Sequence, residues 1–271
     1  MSSPIVPMSH DHRRQLAIVA TFIATLAVNW AANGIPLNGQ TTAQISDRFD
    51  VFVIPAGYVF SIWALIYILL AAFTVDQARP SRATDPTLRR LGWLPALAGV
   101  LNAAWVVCFQ YELFIATVPL IVGLLVTLIR INATTFADRG RLVSAARWTV
   151  RLPFSVYLGW VTVATIANIA QTLQALGVTV APDVAPVLAS AVLLVGLAIA
   201  VTFVWRFADA AYGAVIVWAY VGIAVKESAT PVVALTAAVG AVVVLILVAT
   251  ILLGRHAPSQ RQMLGVGPSP A

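Results

Sequence analysis

Acidic residues are scarce in this chain: ten Asp and Glu stand against sixteen Lys and Arg. None lies inside its long apolar runs; Asp76, Glu112, Asp209 and Glu227 fall at run ends, where water is expected to reach them. Carboxylates inside hydrocarbon usually mark proton or sodium coupling, so their lack argues against an ion-coupled transporter. It also argues against general acid–base catalysis, and no catalytic residue is assigned. The single cysteine, Cys108, cannot form an intramolecular disulfide and is inert in an apolar run. The three histidines, His10, His12 and His256, lie in the tails, so no metal site is expected. Charged residues make up only 10% of the chain, and no soluble segment is long enough for a folded basic surface. A nucleic-acid partner is therefore not expected, despite the net charge of +6.

What is present in abundance is apolar. The chain is 61% hydrophobic with a mean hydropathy of +0.93, outside the range of soluble domains. Eight apolar runs are read as spans: residues 15–33, 56–76, 92–110, 113–130, 152–173, 184–205, 210–226 and 231–253. Each is close to the roughly 20 residues that cross a bilayer; 210–226 is the shortest. With the N-terminus cytoplasmic, this alternation puts fourteen of the sixteen basic residues inside, all but Arg48 and Lys226. That asymmetry follows the positive-inside rule and places both termini in the cytoplasm. The expected location is the cytoplasmic (inner) membrane of a bacterium, as an integral multi-pass protein. Asn29 and Trp30 interrupt the approach to any signal cleavage site, so the first span is read as retained.

The fold class is all-α, a polytopic membrane helix bundle. A cytoplasmic tail is expected over 1–13, a five-helix domain over 14–176, three further helices over 177–254 and a disordered tail over 255–271. The external segment 34–54 carries Thr41-Thr42-Ala43-Gln44, a capping box that opens a short helix through about Phe49. It reads either as a lid over a pocket or as a helix lying in the headgroup plane.

Two spans share an aromatic and polar stripe. Phe60, Trp63 and Tyr67 fall at i, i+3, i+7, on one helical face. Tyr157, Trp160, Ala164, Asn168 and Gln171 fall at offsets 0, 3, 7, 11 and 14, again one face. Asn102 and Trp105 add a third pair. Laid out at about 1.5 Å per residue, these groups and Asn29–Trp30 share the outer half of the membrane, beneath the 34–54 segment. A buried amide needs a partner, so Asn102 and Asn168 either bond each other or face a ligand. The tryptophans serve equally as packing residues or as pocket walls. The partners implied are the lipid bilayer and a hydrophobic small molecule.

These stretches resemble the TspO/MBR family, the tryptophan-rich sensory proteins related to the translocator protein or peripheral benzodiazepine receptor. Its second-helix pattern is matched by Pro55, Gly57, Phe60, Trp63 and Tyr67, with Ala56 and Tyr58 in place of a Pro and a Trp. Its third-helix Asn-x-x-Trp is matched by Asn102 and Trp105, and its fifth-helix pattern by Tyr157, Trp160, Ala164, Thr165 and Asn168. The motifs cover about residues 15–173; Val156 stands where the family has a proline, and Pro153 lies three residues earlier. The resemblance implies a five-helix bundle binding a porphyrin or haem-like tetrapyrrole, with no cofactor required, in a sensory, regulatory or carrier role. The pocket it implies is formed by Phe60, Trp63, Tyr67, Asn102, Trp105, Tyr157, Trp160, Ala164 and Asn168, and two copies can pair as a homodimer. Residues 166–176 lack the family's cholesterol signature, and the last three helices have no counterpart in the five-helix pattern. An uncoupled small-molecule permease and a tetrapyrrole-modifying enzyme are the alternatives.

Overall fold

The computed structural model describes residues 10–138 and 147–254. The tail expected over 255–271, most of the first tail and part of the Arg-rich link over 131–151 lie outside the described residues. All regular structure among the described residues is helical. The helices are α1 (His10–Gly34), α2 (Thr42–Ser46), α3 (Ile62–Ala78), α4 (Pro86–Leu91), α5 (Leu94–Gln110), α6 (Phe114–Ala137), α7 (Leu152–Ala175), α8 (Ala185–Phe207), α9 (Ala210–Lys226) and α10 (Pro231–Leu252). A 3-10 turn, Gly57–Ser61, leads into α3.

Among the described residues, six stretches are long and apolar enough to cross a membrane: α1, Gly57–Ala78, α6, Trp148–Ala175, α8 and α10. The other two expected spans, α5 and α9, are apolar helices of 17 residues. At about 1.5 Å per residue, that length falls a few ångströms short of a typical hydrocarbon core. The chain is an integral multi-pass membrane protein.

Two compact units make up the chain. The first comprises Met1–Ser46 and Ala64–Phe154, the second Asp47–Trp63 and Ser155–Ala271. The sequence suggests a boundary at 176–177; in the structure, α7 from Ser155 and the 47–63 segment pack with the last three helices.

In the first unit, α5 packs between α1 and α6. Gly99 permits the close approach to α1, since a Cβ there would stand 3.0 Å from Thr21 Cβ. Thr21, Thr25, Asn29 and Asn33 recur every four residues, so they line one face of α1. Each donates to the carbonyl four residues back, which keeps it satisfied within an apolar helix. Two also reach α5: Thr25 donates to Gly99 O at 3.0 Å and Asn29 Nδ2 to Asn102 Oδ1 at 3.2 Å.

A tight hairpin joins α5 to α6. Leu113 N donates to Cys108 O at 2.8 Å and Glu112 holds φ of 58°, the geometry of a Schellman close. At its other end the unit is tied by ion pairs. Asp11 pairs with Arg14 at 3.0 Å and Arg89 at 2.6 Å, and Arg90 pairs with Asp138. Arg14 is only 2% exposed and also donates to Ala83 O at 2.8 Å, so α1 and the 79–91 link are fastened together. Asp76, expected to meet water, is buried. Arg82 of the following link covers it at 3.1 Å and the Thr149 hydroxyl donates to it at 3.0 Å.

In the second unit, α10 packs on α8 and α9 through small residues. Gly240 lies under the Tyr220 ring, and Tyr220 OH donates to Leu193 O at 2.7 Å. Asp209, also expected to meet water, is instead buried. It caps α9 by accepting from Tyr212 N at 3.1 Å and takes the Ser155 hydroxyl at 2.6 Å. A carboxylate at a helix N-terminus is favoured by the unpaired N–H groups there, which is why it turns inward.

Candidate functional site

The 3-10 turn delivers Phe60 and the first turn of α3 delivers Trp63, while α7 presents Tyr157 and Trp160 one turn apart. The four rings meet edge to face: Phe60–Trp160 at 5.4 Å, Trp63–Tyr157 at 6.0 Å and Trp63–Trp160 at 6.2 Å between centroids. Such geometry sets the positive ring edge on a negative face and adds roughly 0.5–1.5 kcal/mol per pair beyond area burial. Tyr157 and Trp160 are buried, at 3% and 2% exposure, whereas Phe60 and Trp63 are half-buried.

Trp160 carries an unmet demand. Its indole Nε1–H is buried and has no hydrogen-bond acceptor among the described residues. An orphaned buried donor costs roughly 1–3 kcal/mol. Farther along α7, Ala164 is half-buried on the same stripe. Asn168 is buried and turned along its own helix: Nδ2 donates to Thr172 Oγ1 at 3.1 Å, and that hydroxyl donates to Asn168 O at 2.8 Å.

The remaining three expected residues belong to the first unit. Tyr67 is half-buried on α3. Trp105 stacks on Phe109 at 5.1 Å and 25°. Asn102 is 1% exposed; its Oδ1 accepts from Asn29, while its Nδ2 is buried with no acceptor among the described residues. Asn29, placed at this depth by the sequence, thus supplies the amide partner.

Sequence reasoning missed Gln110, which is fully buried at the end of α5. Its Nε2 donates to the carbonyls of Ala32, Leu37 and Gln40 at 3.2, 3.1 and 2.8 Å, and its Oε1 accepts from the Thr42 hydroxyl at 3.1 Å. Asn38, in the left-handed region at φ of 57°, turns its Nδ2 to Gln110 O at 3.1 Å. The capping box forms as expected: Thr41 N donates to Gln44 Oε1 and Gln44 N to Thr41 Oγ1, though α2 ends at Ser46. A polar residue closing an apolar run was the available signal for Gln110. Also unforeseen are Trp218 and Gly222 of α9, against which the Pro55–Phe60 turn rests.

Elsewhere, a groove of about 410 Å³ is lined by His12, Gln15, Leu16, Val19 and Ala78, at the α1 end away from Asn29. No group of three or more His, Cys, Asp or Glu is placed to hold a metal ion among the described residues.

The fold is that of a multi-pass helical membrane protein with a tryptophan-bearing aromatic cluster between the Gly57–Trp63 segment and α7. The family model described as TSPO-like protein matches residues 15–250, and the chain belongs to that family. The match runs through α8, α9 and α10, beyond the 15–173 that carry the motifs. No curated protein and no solved structure matches the chain significantly.

Proposed function

We propose that this is an eight-span tryptophan-rich sensory protein that binds a flat, hydrophobic, acceptor-bearing ligand such as a porphyrin at the Phe60, Trp63, Tyr157, Trp160 cluster. The observation that carries the reading is the buried Trp160 indole N–H without an acceptor. A carboxylate, carbonyl or ring nitrogen on the ligand would satisfy it, while the surrounding rings supply stacking surface. Ala164 and Asn168 follow Trp160 on the same face of α7 and extend the reading along it. Tyr67, Asn102 and Trp105, in the first unit, are candidates on sequence grounds alone. Charge asymmetry supports eight spans with both termini cytoplasmic, the two 17-residue helices crossing locally thinned bilayer.

Titration of the purified protein with protoporphyrin, read by tryptophan quenching, tests this. Saturable quenching that Trp160→Ala weakens supports the site. Saturable binding unchanged in a folded Trp63→Ala, Trp160→Ala double variant places the ligand elsewhere. Reporter fusions at residues 80 and 180 test the topology; a cytoplasmic signal at 180 overturns it.

A further inference from the structure

The aromatic cluster depends on a stretch that is not α-helical, because residues 47–61 contain only the 3-10 turn before α3 begins at Ile62. Something must hold that turn, and α9 does so by four contacts. Ala56 N donates to Gly222 O at 3.2 Å. The Trp218 indole Nε1 donates to Val59 O at 3.1 Å, and its ring meets Tyr58 edge to face at 5.4 Å. Val59, fully buried, sits directly on Gly222: a Cβ there would collide with Val59 Cγ2 and stand 3.2 Å from Pro55 Cβ. Glycine at 222 is thus required for close approach rather than for any unusual dihedral.

We infer that Trp218 and Gly222 are positioning residues for the aromatic cluster. They hold the Pro55–Phe60 turn against α9, and the turn in turn sets Phe60 and Trp63 against Trp160. Phe60 follows Val59 directly, so rotating the Val59 carbonyl away from Trp218 moves the Phe60 ring that packs 5.4 Å from Trp160. Neither residue touches the four-ring face itself. The consequence for ligand affinity rests on the function proposed above; the positioning does not.

The test uses the full chain in nanodiscs, labelled with 5-fluorotryptophan and assigned by single Trp→Phe variants. Trp218→Phe leaves an aromatic ring beside Tyr58 and removes the N–H donor together with the rest of the pyrrole ring; Gly222→Val displaces Val59. Both are expected to move the fluorine resonances of Trp63 and Trp160 while leaving that of Trp148 in place. Both should also weaken protoporphyrin binding about three- to tenfold, the factor one hydrogen bond is worth. Unmoved Trp63 and Trp160 resonances in folded Trp218→Phe overturn the inference, and that variant decides alone if Gly222→Val does not fold. Shifted resonances in a chain that binds no porphyrin would keep the positioning and reject the ligand.

Discussion

The Gln110 side-chain nitrogen lies 2.8 Å from the carbonyl oxygen of Gln40, seventy residues away in sequence. Together with its bonds to Ala32, Leu37 and Thr42, it latches the start of the 34–54 segment to the end of α5. Residues 37–46 are thus held to α5, and the expectation is that ligand leaves them as they are. Gln110→Leu should raise hydrogen exchange over 37–46 and lower stability by about 2–3 kcal/mol, since buried carbonyls lose their donor. Saturating protoporphyrin should leave exchange at 37–46 unchanged in the wild type. Ligand-dependent protection of 37–46 would restore the whole segment as a lid.

Trp160→Phe separates packing from recognition. The ring volume is largely kept and the orphaned N–H is gone, so the empty protein should be unchanged or more stable by up to about 1 kcal/mol. Ligand binding should nonetheless weaken, because the donor it would use is missing. Measured by thermal unfolding and quenching titration, a loss of stability without a loss of affinity would make Trp160 a packing residue only.

One turn is built twice with different residues. Val178 N donates to Leu173 O at 3.0 Å around Gly177 at φ of 80°, just as Leu113 N donates to Cys108 O around Glu112 at φ of 58°. A side chain in the left-handed region costs about 1–2 kcal/mol that glycine avoids. Glu112→Gly should therefore stabilise the α5–α6 hairpin by about 1 kcal/mol, and Gly177→Ala should destabilise by a similar amount. Thermal unfolding in a fixed detergent checks both, and equal midpoints across the three proteins would refute it.

Acid should favour the end of α9. Burial first, and then the nearby Asp50 charge, push the Glu227 carboxyl above its ordinary 4.5, while Lys226 opposes them. A folded value above the unfolded one means the folded state prefers the proton. The associated stability is complete below about 4.5 and is lost as pH rises through the folded value. Glu227→Gln should thus be more stable than wild type at neutral pH, with the difference closing below that value. A difference that widens on acidification would reverse the assignment.

The helices were legible because apolar runs of bilayer length leave few alternatives, and α9 was bounded correctly at 210–226. Trp63, Tyr157 and Trp160 were legible through spacing, since ring residues on two helical stripes have few other reasons to align. Polar pairings were not. Asp76 was assigned to water because nothing local predicts that Arg82 will fold back across it. Asp209 was likewise assigned to water, while its partner Ser155 lies on another helix. Trp218 looked like one aromatic among aliphatic scaffold because its acceptor, Val59 O, is 159 residues distant. Periodicity reports which face a residue occupies, not which chain segment arrives there.

The docking of Val59 on Gly222 has a consequence for biogenesis. The Pro55–Phe60 turn leaves the ribosome long before α9 exists, so it must wait in the bilayer, unclasped, through the synthesis of more than 150 residues. Trp160 emerges in the interval and meets Phe60 only when that turn has found its place. Assembly of the aromatic cluster is therefore one of the last acts of maturation, and a chain arrested before α9 would hold all four rings with nothing to fix two of them.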